Sequence, residues 1–154
     1  MANYYTNCSF ILPLPTKEAQ VYALNLHSQA KAIYKGEEKS KKFPNSLVEV
    51  AEDWGFDIEP QYPAENCDLW LHSKNGGVDA VCLFIQHLLR KFNPTGYIGF
   101  EWSHDCSNPR TDAYGGGAAV VTAKSIKTTS TGEWLHKRTA KLFQPQTQKE
   151  PTSC

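Results

Sequence analysis

The sequence predicts an α+β domain of the ferredoxin-like type. Its βαββαβ core carries an extra C-terminal strand and helix, and helices cover one face of a mostly antiparallel sheet. Segments 17–36 and 78–92 repeat apolar residues every three to four positions, which is typical of helices packed on a core. Short alternating segments before, between and after them predict strands. The 154 residues, 40% of them hydrophobic, suit a single core and therefore a single domain.

The first half of the chain contains two predicted helices. CSFILPL predicts a short first strand, which the prolines in and after it stop. Thr16 is placed to cap a long helix that ends near Gly36. Ser46 and Glu49 have the S-x-x-E spacing of a capping box and predict a short second helix. FDIEPQY and CDLWLHS both alternate, so they predict the two strands of a hairpin.

The second half of the chain begins with the longest apolar stripe, which predicts a helix over Val78–Phe92. YIGFEWS and AAVVTAKSIK predict the next two strands, and a polar loop from His104 to Gly117 lies between them. Ser130 is spaced to cap a final short helix. Residues 1–143 are therefore predicted as one domain, and residues 144–154 as a disordered polar tail.

Composition excludes several classes of function. Sixteen basic and sixteen acidic residues cancel, so no global field attracts nucleic acid or an anionic membrane. No apolar segment reaches the ~20 residues that a spanning helix needs, and the N-terminus lacks the pattern of a signal peptide. We therefore expect a cytoplasmic protein with no membrane partner.

The cysteines are expected to be free thiols, and the three histidines on predicted helices receive no functional role. The five cysteines lie at positions 8, 67, 82, 106 and 154, and without an export signal we expect free thiols. His27 and His136 fall on polar helix faces, and His87 falls at a partly exposed helix position.

Strand alternation predicts an aromatic and acidic second face of the sheet. If the helices bury Leu69, Leu71 and Phe100, alternation turns their neighbours outward. The outward side chains include Trp70, His72, Tyr97 and Glu101. Trp and Tyr with flanking charge suit a protein partner. Alternatively, the last strand, the last helix or the tail covers this face and makes its aromatics core residues, or a second copy covers it in a homodimer.

A nucleic-acid platform fits this face poorly. GYIGFEW resembles the aromatic RNP1 pattern, but it lies on the fourth strand and lacks the leading basic residue. Phosphate backbones require Lys and Arg, whereas this face is acidic. The sequence therefore argues against nucleic acid as a partner.

The polar loop allows a nucleophilic site. Cys106 is the candidate nucleophile, with His104 or His72 as base and the amides of Gly115, Gly116 and Gly117 as an oxyanion site. Glu101 is a further catalytic candidate. None of the known local signatures of cysteine enzymes occurs in this stretch.

The same loop has three further interpretations. A metal site would need paired ligands, and only an isolated H-x-C is found, so we expect no metal and no cofactor. Arg110 and the glycine amides would suit an anion such as phosphate. In the simplest interpretation, the glycines let the chain turn or bulge into the next strand, and Arg110 pairs with Asp105 or Asp112.

Two stretches, CDLWLHSKNGGVDAVCLFIQHLLRKF and FEWSHDCSNPRTDAYGGGAAVVTA, resemble a family of small uncharacterised bacterial proteins that phages and other mobile elements often carry. The family pattern is FEW-x₃-CS-x-PR-x₄-GGGA. The matching residues are Phe100, Glu101, Trp102, Cys106, Ser107, Pro109, Arg110, Gly115, Gly116, Gly117 and Ala118. The resemblance implies no known activity. It implies a setting in which small proteins bind host proteins.

The sequence therefore favours a non-enzymatic protein-interaction module. The predicted binding residues are Trp70, His72, Tyr97, Glu101, Arg110, Gly115, Gly116 and Gly117. The alternative is a small enzyme, or a ligand- or metal-binding protein, centred on Cys106, His104 and Arg110. Its candidate catalytic residues are Cys106, His104 and Glu101.

Overall fold

The computed structural model describes residues 3–61 and 66–147. The strands are β1 (Tyr4–Leu12), β2 (Asp57–Pro60), β3 (Leu69–Ser73), β4 (Tyr97–Cys106), β5 (Gly115–Thr122) and β6 (Ile126–Ser130). The helices are α1 (Lys17–Tyr34), α2 (Val48–Ala51), α3 (Val78–Phe92) and α4 (Thr131–Thr147), and a 3₁₀ turn (Asn45–Leu47) precedes α2.

The described strands form one six-stranded sheet in the order β2-β3-β1-β4-β5-β6, and all neighbouring strands are antiparallel. The predicted α+β class and the predicted β2–β3 hairpin are confirmed. One side of the sheet packs on α1 and α3. The core there combines Leu26 of α1 and Phe84 of α3 with Leu71, Phe100 and Val121 of the sheet.

β1 changes its partner halfway along its length. Tyr4–Asn7 pair with β4, starting from Cys106, whereas Cys8–Leu12 pair with β3. The first strand is therefore longer than predicted and begins at Tyr4, because its first four residues find partners in β4. Beyond Asn7 the backbone ladder between β1 and β4 ends, and the two strands are bridged by stacked rings of Phe10 and Phe100, 4.7 Å between centroids.

The predicted polar loop is shorter than its composition suggests. β4 continues to Cys106 and β5 already starts at Gly115, so loop residues at both ends lie in strands. The predicted strand AAVVTAKSIK is wrong as one element: a turn at residues 123–125 divides it into β5 and β6. The carbonyl oxygens of Thr122 and Ala123 accept hydrogen bonds from Gln86 Nε2 and Arg90 Nε of α3, which anchors this turn.

Two of the three predicted helix caps are confirmed. Thr16 Oγ1 accepts a hydrogen bond from Ala19 N at 3.1 Å, and Ser130 Oγ accepts one from Glu133 N at 3.1 Å. The capping box at Ser46 is wrong, because Ser46 lies inside the 3₁₀ turn and the hydrogen bonds of the short helix start later. The sequence pattern alone does not distinguish a Ser or Thr that caps a helix from one that does not.

The final helix is long rather than short. α4 runs over 17 residues to Thr147, past the predicted start of the tail at residue 144. Residues 148–154 of that predicted tail lie outside the described residues. All side chains over positions 131–143 are exposed, so α4 stands largely apart from the core.

Two helical histidines are partly buried against aromatic side chains. The predicted polar position of His27 is wrong, whereas the partly exposed position of His87 is confirmed. His27 Nδ1 accepts a hydrogen bond from Trp54 Nε1 at 3.0 Å and contacts the rings of Phe56 and Phe84. Burial lowers the pKa of His27 to about 4, and the Lys31 charge adds to this effect. His87 bonds Tyr22 Oη at 2.7 Å, and burial lowers its pKa too.

Candidate functional site

The sheet face opposite α1 and α3 is the candidate site. We call it the open face. Its outward side chains belong to alternate positions of five strands: Asn7, Ser9 and Ile11 of β1, Glu59 of β2, Trp70 and His72 of β3, Tyr97, Glu101, Ser103 and Asp105 of β4, and Val120 of β5. Tyr97 is 73% exposed. The described residues of α4 therefore do not bury it, and the alternative that the last helix makes this tyrosine a core residue is wrong.

A cavity of about 840 Å³ opens at this face where β1 changes partner. Its walls come from β1, β3 and β4: Asn7, Cys8, Ser9, Phe10, Trp70, His72, Ser73, Lys74, Gly99, Phe100, Glu101, Trp102 and Ser103. The cavity exists because β1 leaves β4 after Asn7 and the space between the two strands widens. Three of the predicted binding residues, Trp70, His72 and Glu101, line it together.

Trp70 and His72 form one rigid wall of the cavity. They are two positions apart on β3, so both project from the same face, and their rings stack with 4.0 Å between centroids. Trp70 Nε1 donates a hydrogen bond to Ser9 Oγ of the neighbouring strand at 2.9 Å. The indole is thereby held in place with part of its surface accessible, a state that suits a recognition surface.

His72 carries a polar atom with an incomplete set of contacts. Its Nε2 is buried and has no hydrogen-bond partner among the described residues. The nearest carboxylate oxygen is Glu59 Oε2 at 3.9 Å, which is too long for a hydrogen bond. An unpaired buried polar atom is unfavourable, so a small movement of Glu59 or a polar group of a ligand would complete the contacts of this corner.

Cys8 lies in the same cavity but is unsuited to nucleophilic chemistry. Burial raises the pKa of its thiol to about 11, so at neutral pH it is the unreactive protonated form. No role was predicted for Cys8, Ser9 or Phe10. The apolar run CSFILPL predicted their shared strand, but nothing local indicated that this strand borders a cavity.

The candidate catalytic residues do not form one cluster. Glu101 projects from the open face, whereas alternation places His104 and Cys106 on the other side of β4. His104 Nδ1 is 3.0 Å from Thr6 Oγ1 of β1, and this hydroxyl is its hydrogen-bond partner. His72, the other candidate base, lies on the open face as well. The opposite sides of the sheet therefore separate Cys106 from His72 and Glu101, whereas His104 lies on the same side of β4 as Cys106.

Arg110 is held by its own loop. Its Nε lies 3.5 Å from Asp112 Oδ1, and its guanidinium lies over the ring of Tyr4, 5.9 Å from the centroid. The internal pairing with Asp112 that the sequence suggested is confirmed. Asn3 and Ser107 exchange two hydrogen bonds of 2.9 Å, so the loop is fastened to the start of β1. Asp105 instead accepts a hydrogen bond from Asn7.

The glycine triplet lies in β5 and lets neighbouring strands approach closely. A Cβ on Gly117 would collide with the indole of Trp102 and the carbonyl oxygen of Thr129. A Cβ on Gly116 would collide with the backbone of Trp102, and Gly115 has a φ of +148°, which favours glycine. A second cavity of about 410 Å³ lies beside the triplet, between Glu101, Trp102 and Trp134.

Among the described residues, no group of three or more His, Cys, Asp or Glu side chains is placed to hold a metal ion. None of the helices in residues 3–61 and 66–147 combines the length and apolar character needed to cross a membrane. No protein-family model, curated protein or solved structure matches the chain. The class that the fold and site define is therefore an α+β protein with an aromatic and acidic sheet face left open.

Proposed function

We propose that the chain is a non-enzymatic protein-interaction module and that the open face binds the partner. The observation that carries this proposal is the exposure of this face: a helix layer covers one side of the sheet, while Ile11, Tyr97 and Val120 project from the other and are exposed. Contiguous exposed apolar side chains in an otherwise polar surface are typical of binding sites.

The chemistry of the open face supports a protein as the partner. Trp70 and Tyr97 offer large, nearly rigid contact surfaces, and Glu59 and Glu101 flank them with negative charge. The cavity between β1 and β4 accepts a projecting side chain, as the central pockets of protein interfaces do. A partner with a basic and apolar contact surface fits this combination best.

The alternative of an enzyme or ligand-binding protein centred on Cys106, His104 and Arg110 has less support. His104 bonds Thr6, Arg110 pairs with Asp112, and Glu101 lies across the strand. Nucleophilic catalysis requires the base within hydrogen-bond reach of the thiol. Loss of an activity in Cys106→Ser at unchanged melting temperature would restore this alternative.

We infer a ferredoxin-like core, since β2-β3-β1-β4 is the strand order that a βαββαβ chain adopts when each crossover skips one strand, and β5 and β6 would extend it. The family resemblance and a cytoplasmic location remain predictions. Both accord with a host protein as partner.

Affinity capture with the full chain as bait, in extract of its native host, tests the proposal. We expect Tyr97→Ala and Glu101→Ala to reduce capture of the bound protein about fivefold or more, because contacts near the centre of an interface carry most of the binding energy. Trp70→Ala should act in the same direction. Circular dichroism of each variant checks that the melting temperature is retained.

Matched controls come from the helix layer. Tyr34 and Glu49 are exposed there, so Tyr34→Ala and Glu49→Ala remove the same side-chain types from outside the open face. They should leave capture unchanged. Equal capture by Tyr97→Ala, Glu101→Ala and the controls would show that the open face is not the binding surface.

A further inference from the structure

Helix α4 presents an apolar stripe to solvent. Trp134, Leu135 and Leu142 are 55%, 56% and 71% exposed, and at 100° per residue they fall within one side of the helix. A helix of this kind normally buries its stripe on another surface. The body of the protein meets α4 near its start, where Thr131 Oγ1 bonds the backbone of Gly116.

The basic residues of α4 lie beside and within this stripe. Positions 131–143 contain three basic residues, Lys137, Arg138 and Lys141, and a single acidic residue, Glu133. Glu133 pairs with Lys137 at 2.8 Å, and Arg138 lies over the indole of Trp134, 5.3 Å from the centroid. The helix thus combines exposed apolar side chains with a net positive charge.

The open face has the complementary character. It carries three carboxylates, Glu59, Glu101 and Asp105. They stand against two lysines, Lys74 beside the cavity and Lys127 of β6. Its exposed aromatic and aliphatic side chains provide an apolar contact surface. The charge and the apolar surface of α4 therefore match those of the open face within one and the same chain.

We propose that the open face takes α4 of a second copy, and that two copies exchange these helices reciprocally. A two-fold arrangement buries the same helix-on-face contact twice and leaves neither element exposed. The inference rests on the proposed function, since it requires the open face to be a binding surface. It adds the identity of one occupant, namely a basic amphipathic helix of the same protein.

Charge reversal in the full chain tests the proposal. In sedimentation equilibrium over the micromolar range, the wild type should dimerise. Glu59→Lys with Glu101→Lys, the face variant, and Arg138→Glu with Lys141→Glu, the helix variant, should each raise the dimer dissociation constant about tenfold or more. A mixture of the two should dimerise again, because in the mixed pair both helix-on-face contacts join opposite charges.

The control is Glu49→Lys with Glu52→Lys, which makes the same charge change on exposed positions of the helix layer. It should dimerise like the wild type. A wild type that stays monomeric overturns the proposal, and so does a dimer that the face and helix variants leave intact. Failure of the mixture to dimerise overturns the reciprocal exchange. A monomer that binds vesicles containing phosphatidylserine through α4 would assign the helix to a lipid surface instead, and also overturns it.

These outcomes are separate from those of the capture experiment. A monomeric wild type whose partner capture depends on Tyr97 and Glu101 keeps the proposed function and removes only the second copy as occupant. A dimer sensitive to both charge reversals, with partner capture insensitive to Tyr97→Ala, would keep the second copy and remove the heterologous partner.

Discussion

Among single residues, Gly117 has a large effect on the packing of β4 and β5, because it has no side chain. Trp102 and Gly117 are direct partners across the two strands, and the indole lies over the bare glycine. An aromatic ring that covers a glycine on the neighbouring strand stabilises a sheet where the glycine itself contributes no packing. Trp102 lines both cavities, and Gly117 lines the smaller one.

Gly117→Ala should destabilise the protein by about 1–3 kcal/mol, because its Cβ collides with Trp102 and with the backbone of β6. Urea unfolding followed by tryptophan fluorescence measures the change. Gly99→Ala is the matched control in the paired strand: the nearest atom to its Cβ is Ala119 O at 3.7 Å, an ordinary contact. Equal stability of the two variants would show that the close approach at Gly117 is absent in solution.

At the scale of elements, the long helices differ in how they are held. α1 contributes Ala19, Ala23, Leu26 and Ala30 to the interior, whereas α4 exposes its side chains over positions 131–143. Both begin at a hydroxyl cap with the same 3.1 Å hydrogen bond. Propensity and capping therefore start both helices, but only packing on the sheet makes a helix part of the cooperative core.

The two caps should give different results when removed. Thr16→Ala should lower the free energy of unfolding by about 1 kcal/mol, since α1 unfolds with the core. Ser130→Ala should leave the global value nearly unchanged at concentrations where the protein is monomeric. Its effect should instead appear as faster hydrogen exchange confined to α4.

Urea titration and amide exchange measured on the same samples make this comparison. If Ser130→Ala lowered the global free energy of unfolding as much as Thr16→Ala does, α4 would have to pack on its own chain. That result would also count against an exposed α4 as the docking element of a second copy.

Across the whole molecule, the partly buried histidines His27 and His87 connect stability to pH. The folded pKa of His27 is about 4, below its ordinary value of 6.5. Between these values the unfolded chain binds a proton at His27 that the folded protein does not bind. The free energy of unfolding should therefore fall as the pH decreases from 6.5 to 4, by up to about 3 kcal/mol from this residue.

His27→Gln should flatten this decline, because glutamine keeps an acceptor for Trp54 Nε1 but does not titrate. Denaturant unfolding at several pH values between 4 and 7 measures the slope. His87, whose pKa is also lowered, leaves a residual slope in the variant. The control His136→Gln removes an exposed histidine from α4 and should preserve the wild-type profile; a His27→Gln profile identical to it would contradict the burial of His27.

Features that depend on neighbours a few positions away could be predicted from the sequence alone. The Thr16 cap, the stripe of α3 and the β2–β3 hairpin follow from local spacing, as does the sharing of one face by Trp70 and His72. The open face was predictable for the same reason, since alternation assigns sides to a strand without knowledge of its partners.

Tertiary pairing sets the point where β1 changes partner, and hence the position of the cavity. That switch depends on Tyr4 meeting Cys106 and on Cys8 meeting Ser73, pairs that lie far apart in the sequence. The same long-range pairing extends β4 through the predicted loop and places His104 beside Thr6 of β1. The contact of His27 with Trp54 likewise depends on tertiary packing. Such contacts result from the closure of the whole sheet and core, and no local pattern encodes them.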